Sequence, residues 1–135
     1  MRAKRIRKTQ ENEKGQSLVE FALVLPLLLL LVVGIAEAGR AWMTQNVLTG
    51  AVREAARIAV VQAPGGGWNG PAAITRGNQI LADARIAATV SVPIQATQYG
   101  DVTATVTYNF TVLSGIIPAL GNIQLHSTTT MRREY

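Results

Sequence analysis

Hydrophobic patterning separates the chain into a segment with no polar period and a longer part that alternates. From Leu18 to Ala38 the sequence reads LVEFALVLPLLLLLVVGIAEA, and Phe21 to Ala36 holds no charged residue. Twenty-one helical residues at about 1.5 Å each reach roughly 31 Å, the thickness of a bilayer's hydrocarbon layer. The segment is therefore predicted to cross a membrane once. The competing reading, a helix buried in a soluble domain, fails because the rest of the chain is too small to wrap it. Pro26 removes a backbone hydrogen bond, so a kink or local melting is expected there. Gly34 and Gly39 would let a neighbouring helix approach closely.

Beyond this segment the period changes. Arg40 to Gln62 reads as an amphipathic helix, with Leu48, Ala51, Val52, Ala55 and Ala59 on one side. Asn46, Gly50, Arg53, Glu54 and Arg57 fall on the other. No breaker separates the apolar and amphipathic helices, so one long rod is expected. APGGGWNGP, residues 63–71, is the clear loop, and Trp68 within it is expected to fold back onto the nearest core. Pro71 suits the first turn of a short helix running to about Ile86, with Ile74, Leu81 and Ala84 inward. Val90, Val92 and Ile94 then suggest a strand, and Tyr99-Gly100-Asp101 a turn. Val102, Ala104, Val106, Tyr108, Phe110 and Val112 alternate with polar residues over a long half-buried strand. After SGIIPALGN a third strand begins at Ile123 and Leu125 and runs to about Arg132. Three strands with one apolar face need a cover, which the amphipathic helix supplies.

Charge fixes an orientation. The chain has 135 residues, enough for one domain, and a net charge of +5. Arg2, Lys4, Arg5, Arg7, Lys8 and Lys14 against Glu11 and Glu13 leave +4 in residues 1–15 and only +1 in the rest. A nucleic-acid-binding face would spread its basic residues over a fold or interleave them with aromatics. Here they precede an apolar run, which keeps the N-terminus in the cytoplasm and sends the C-terminal part across. No nucleic-acid partner is expected.

The junction between the basic segment and the apolar run carries the most information. Glu20 sits inside the apolar stretch, where a carboxylate costs about 2.5–3.5 kcal/mol near mid-membrane and less near the edge. One explanation is that it marks the water boundary. Another lies five residues upstream, at Gly15 before Gln16. Were that bond cut, Gln16 would become the first residue and Glu20 the fifth. A new α-amino group would then stand near a carboxylate, and a neighbouring subunit's carboxylate could neutralise it.

This arrangement resembles a type IV prepilin leader. The wider sequence GQSLVEFALVLPLLLLLVVGIAEAGRAW, followed by NVLTGAVREAARIAVV and a strand-rich tail ending in Met-Arg-Arg-Glu, resembles the TadE-like pseudopilin family of the tight-adherence (Tad/Flp) pilus system. The resemblance implies that Gly15, Gln16 and Glu20 are processing determinants read by a membrane aspartic prepilin peptidase. It also implies packing of the apolar rod, at Pro26, Gly34 and Gly39, among other pilins or pseudopilins and the pilus assembly platform. Gly39-Arg40 match a pair common in the family. Glu37 stands where an Asp is common, and Phe21 follows the key Glu where many prepilin-like substrates have Tyr.

The fold expected is α+β and pilin-like: a long transmembrane and amphipathic helix packed on an antiparallel sheet of about three strands. Its organisation would be a basic cytoplasmic leader at 1–15, a transmembrane helix at 16–38, the amphipathic continuation at 39–62 and an exported part at 63–135. The location implied is the bacterial inner membrane, with the lipid bilayer as the first partner. Two alternatives stand beside the pseudopilin. One is an uncleaved single-pass adaptor with an exported binding domain. The other is a secreted domain released after Ala38, since Ala36-Glu37-Ala38 fits the small-x-small rule of signal-peptide cleavage. Against that last reading, the helical pattern runs through the site without a polar c-region.

An enzyme is not expected. There is no cysteine for a thiolate site or nucleophile. The single histidine, His126, lies among Ser and Thr and reads as a sheet-surface residue. Asp83, Asp101 and Glu134 are scattered without metal-ligand spacing, and Gly65-Gly66-Gly67 lacks the Lys-Ser/Thr of a phosphate loop. No cofactor, metal or small-molecule substrate is expected.

Overall fold

The helices and two of the three expected strands appear where the periodicity places them in the computed structural model, which describes residues 3–63, 65–93, 100–112 and 121–133, with side chains from residue 15 onward. Helix α1 spans Ala3–Ala59, helix α2 Gly70–Asp83, strand β1 Asp101–Thr111 and strand β2 Asn122–Arg132. The chain divides into two compact units, Met1–Ala38 and Gly39–Tyr135.

In the first unit the side chains of the Leu- and Val-rich run are bare. Leu23 is 74% exposed and Ile35 66% exposed. Leaving such a side chain in water instead of burying it forgoes about 1.5–3 kcal/mol, so a run of this length needs apolar surroundings. α1 continues through Pro26 and does not melt there. Leu25 and Leu27 on either side, branched at Cγ and not at Cβ, lose little rotamer freedom in a helix and favour its continuation past the proline.

The second unit places the same helix in a different environment. Leu48, Ala51, Val52, Ala55, Ala56 and Ala59 are fully buried. They form one cluster with Ala73 and Leu81 of α2, with Val90 and Val92, and with Val102, Ala104 and Val106 of β1. Methyl-sized side chains on the helix let its backbone lie close to the sheet. α1 ends where Pro64 and three glycines follow. Gly65, Gly66 and Gly67 all take φ between +92 and +95, a region open to glycine and costly to other residues. Asn69 then donates to the Ile58 carbonyl at 3.3 Å, satisfying an acceptor that the helix end exposes.

α2 starts with Pro71 in its first turn, as expected. Its inward face is Gly70, Ala73, Gly77 and Leu81. Ile74 is half-buried and Ala84 exposed, so the inward placing of Ala84 is corrected. The helix has ended by then: Arg85 turns to φ +57, and Ile86 and Arg85 donate back to the Leu81 and Ala82 carbonyls. Gly77 is required by proximity. A Cβ there would come within 2.8 Å of Val90 Cγ2 and 3.3 Å of Ala55 Cβ.

β1 and β2 pair antiparallel over their whole length, from Asp101↔Arg132 to Thr111↔Asn122. The sheet has two strands among the described residues, one fewer than the sequence suggested. The segment expected as a first strand contributes an isolated bridge, Ser91↔Thr105, closed by two hydrogen bonds of 2.8 and 2.9 Å. Pro93 explains the shortness, since it has no N–H to extend the ladder. Val90 and Val92 still face the core, and Val90 N–H is held by Asn78 Oδ1 at 2.8 Å. Ile94, the turn expected at Tyr99 and most of the 114–122 loop lie outside the described residues. Along β1 the alternation is as read: Val102, Ala104, Val106 and Phe110 are buried, Tyr108 and Val112 half-buried.

Candidate functional site

Gly15 and Gln16 are neighbours on one turn of α1 and Glu20 lies one turn on, all exposed. Gln16 and Glu20 are four residues apart, so their side chains share a helix face. The Gln16 amide donates from Nε2 to Glu20 Oε1 at 3.1 Å. Of the three junction residues these two are thus in direct contact. Gly15 contributes openness: a Cβ there would meet nothing within 4 Å. Glycine inside a helix costs about 1 kcal/mol relative to alanine, so the Gly15–Gln16 bond lies at a weak point of α1. Gly34 and Gly39 are equally open, with nothing within 4 Å of a Cβ at either. Pro26, Gly34 and Gly39 are distributed along the helix and make no cluster.

A second set of functional side chains, missed by the sequence reading, fastens α1 to the sheet within Gly39–Tyr135. Arg40 Nη2 donates to the Thr111 carbonyl at 2.6 Å while its guanidinium lies 4.3 Å from the Phe110 ring centroid. That combines a charge-assisted hydrogen bond with a cation–π contact. Gln45 Nε2 donates to the His126 carbonyl at 2.9 Å. Ser127 Oγ, buried opposite Val106, donates to Thr49 Oγ1 at 3.2 Å, and Thr49 in turn donates to the Gln45 carbonyl at 2.8 Å. One signal pointed to this seam: Gln45 and Thr49 precede Leu48 and Val52 by three residues each, at the margin of the apolar stripe.

On the side of α1 away from the core, Arg57 binds Glu54 through two hydrogen bonds, 2.9 Å from Nε and 2.8 Å from Nη2. The Arg57 hydrogen bond holds the Glu54 carboxyl below its usual range, and the same bond raises the Arg57 guanidinium. Both groups are open to solvent, so this is a solvated face. Trp68 is half-buried against the core cluster, as expected. Its ring lies over Gly70 so closely that a Cβ there would overlap it. The indole Nε1 is shielded without a hydrogen-bond partner among the described residues. His126 stands exposed on the outer sheet face between Thr107 Oγ1 at 3.3 Å and Thr128 Oγ1 at 2.7 Å.

One helix, described from Gly15 to Ala59, is long and apolar enough to cross a membrane once. No curated protein and no solved structure matches the chain. A family model does: residues 15–57 match the one described as TadE-like protein. The match opens on Gly15, runs through Glu20 and the apolar span, and closes at Arg57 on the domain's helix. Residues 15–57 are thus similar to the TadE-like family.

Proposed function

We propose that the chain is a minor pseudopilin of the tight-adherence pilus, made as a prepilin, cut between Gly15 and Gln16 and acting in pilus assembly and surface adherence. The observation that carries this reading is the TadE-like match beginning on Gly15 itself. Residues 1–15 would stay in the cytoplasm because of their +4 charge, and the domain from Gly39 onward would lie outside the inner membrane. A prepilin peptidase would read Gly15, Gln16 and Glu20. Gln16 and Glu20 already share a hydrogen bond. Cleavage would add a positive α-amino group at Gln16, giving the Glu20 carboxylate a charged partner in its own chain or in a neighbour. The mature rod would pack among other pilins or pseudopilins and the assembly platform, with no catalytic role.

A second reading has its own support. The boundary between the two compact units falls at the Ala38–Gly39 bond, which a signal peptidase would cut to release a soluble domain. Against it, α1 continues helically across that bond without a turn residue. The N-terminal residue of protein recovered from membranes separates the readings. Gln16 is expected. Gly39 would mean a secreted domain, and Met1 or Arg2 an uncleaved adaptor. Glu20→Ala should insert normally and impair piliation; normal piliation would overturn the pseudopilin role.

A further inference from the structure

The first turns of α1 within the second unit carry two large apolar side chains that the domain leaves bare. Trp42 is 74% exposed and Met43 71% exposed, although Leu48, a few residues on, is fully buried. Both lie on the side of the helix opposite the core stripe. Farther along that same side come Asn46, Gly50, Arg53, Glu54 and Arg57, none of them apolar beyond glycine. On this side of α1 within the second unit, exposed apolar surface is therefore confined to the turn that follows the membrane span in sequence, and it gives way to polar residues within one further turn; Val61, 56% exposed, lies beyond the helix end.

The opposite side of the same turn is equally distinctive. Arg40 ties it to the end of β1 through the Thr111 carbonyl and the Phe110 ring. Phe110 and Thr111 pair with Ile123 and Asn122 of β2. Ile123 is 42% exposed, so this end of the sheet also presents apolar surface beside the helix start.

We infer that this end of the domain, with Trp42 and Met43 on one side of the helix and Ile123 on the other, lies in the headgroup layer of the bilayer. The occupant is lipid, chosen by continuity. The uncharged apolar run ends at Ala36, and Trp42 follows six residues on, less than two helical turns or roughly 9 Å of rise. Indole rings concentrate at that depth because an apolar body meets hydrocarbon while the N–H meets water and phosphate. Arg40 has the long apolar stem and charged tip that suit the same layer. The domain would then rest on the membrane surface by its Arg40–Ile123 end. This inference rests on the membrane-anchored reading above.

Emission from the two tryptophans tests it, since Trp42 is bare and Trp68 packs on the core. Full-length Trp68→Phe is reconstituted at low protein-to-lipid ratio in phosphatidylcholine vesicles. The lipid is plain, brominated near the headgroup, or brominated near the chain end. Trp42 emission should lie to the blue of the denatured protein. Shallow bromine should remove most of it and deep bromine little. Trp42→Phe should abolish the bromine-sensitive component of the wild-type emission, which supplies the answer even if Trp68→Phe misfolds. Emission indifferent to bromine overturns the inference, whether it is water-like or blue-shifted by a second copy packed on Trp42. Alkaline carbonate extraction distinguishes the two levels. Protein stripped from the vesicles sinks the membrane-anchored reading as well, whereas protein retained but unquenched sinks only the placement of Trp42.

Discussion

The two halves of α1 put apolar residues to opposite uses. Before Ala38 the helix is built from Leu and Val, and those side chains are bare. After Gly39 its apolar stripe is mostly Ala, and that stripe is wholly buried. Large side chains suit a liquid hydrocarbon surface, where nothing has to fit between them. Small ones suit a sheet, where backbone proximity decides how many atoms touch. The same secondary structure therefore answers to two solvents, and substitutions should have different costs on each side.

The largest effect should come from the domain's aromatic anchor. Phe110→Ala is expected to destabilise the full-length protein by about 3–5 kcal/mol, because it empties a core site and removes the ring under Arg40. Near-UV circular dichroism during denaturant unfolding in mild detergent would read it. A loss below 1 kcal/mol, by the same scale, would mean that Phe110 does not pack as described.

A matched pair of leucines tests the comparison directly. Leu48→Ala should cost about 2–5 kcal/mol in the same assay, while Leu28→Ala should leave the domain's unfolding unchanged. Equal losses at the two positions would erase the distinction between the halves. A smaller effect is expected at the polar seam. Gln45→Ala leaves the His126 carbonyl without its 2.9 Å donor and should cost about 0.5–1.5 kcal/mol. Amide exchange along β2 should rise with it, and unchanged protection there would exclude a fastening role.

The smallest effect concerns pH. Arg57 holds the Glu54 carboxyl below its ordinary value. The stability this pair adds is present above the usual glutamate range and lost as acid titrates the folded carboxylate. Glu54→Gln should slightly flatten the acid limb of the stability curve, and high salt should do the same to the wild type, since the pair is exposed. A steeper acid limb in the variant would contradict the pairing.

Much of this was legible beforehand. Leu48, Ala51, Val52, Ala55 and Ala59 could be placed inward from spacing alone, and β1 from the alternation Val102 to Phe110. What failed had local causes. Ala84 was counted inward because an apolar residue fitted the period, but helix α2 stops at Asp83 and Arg85 turns away. Gly77, which carries the close approach to Val90, has no side chain to register in a hydrophobic pattern. The strand at Val90 shrank to a bridge because Pro93 follows it. At the junction, spacing placed Gln16 and Glu20 together, whereas the partners of Arg40, Gln45 and Thr49 lie 71 to 81 residues away in sequence. No local pattern contains those.

The alanine stripe has a consequence for how the domain becomes ordered. A side chain with no rotatable bond surrenders no rotamer freedom on docking, whereas a leucine gives up about 0.5–1 kcal/mol. Helix and sheet can therefore come together with little entropic opposition along their shared surface. That eases folding for a chain without a single cysteine to cross-link it. The reverse also holds: any enlargement of Ala51, Ala55 or Ala59 would wedge the two layers apart, leaving this seam the least adaptable part of the molecule.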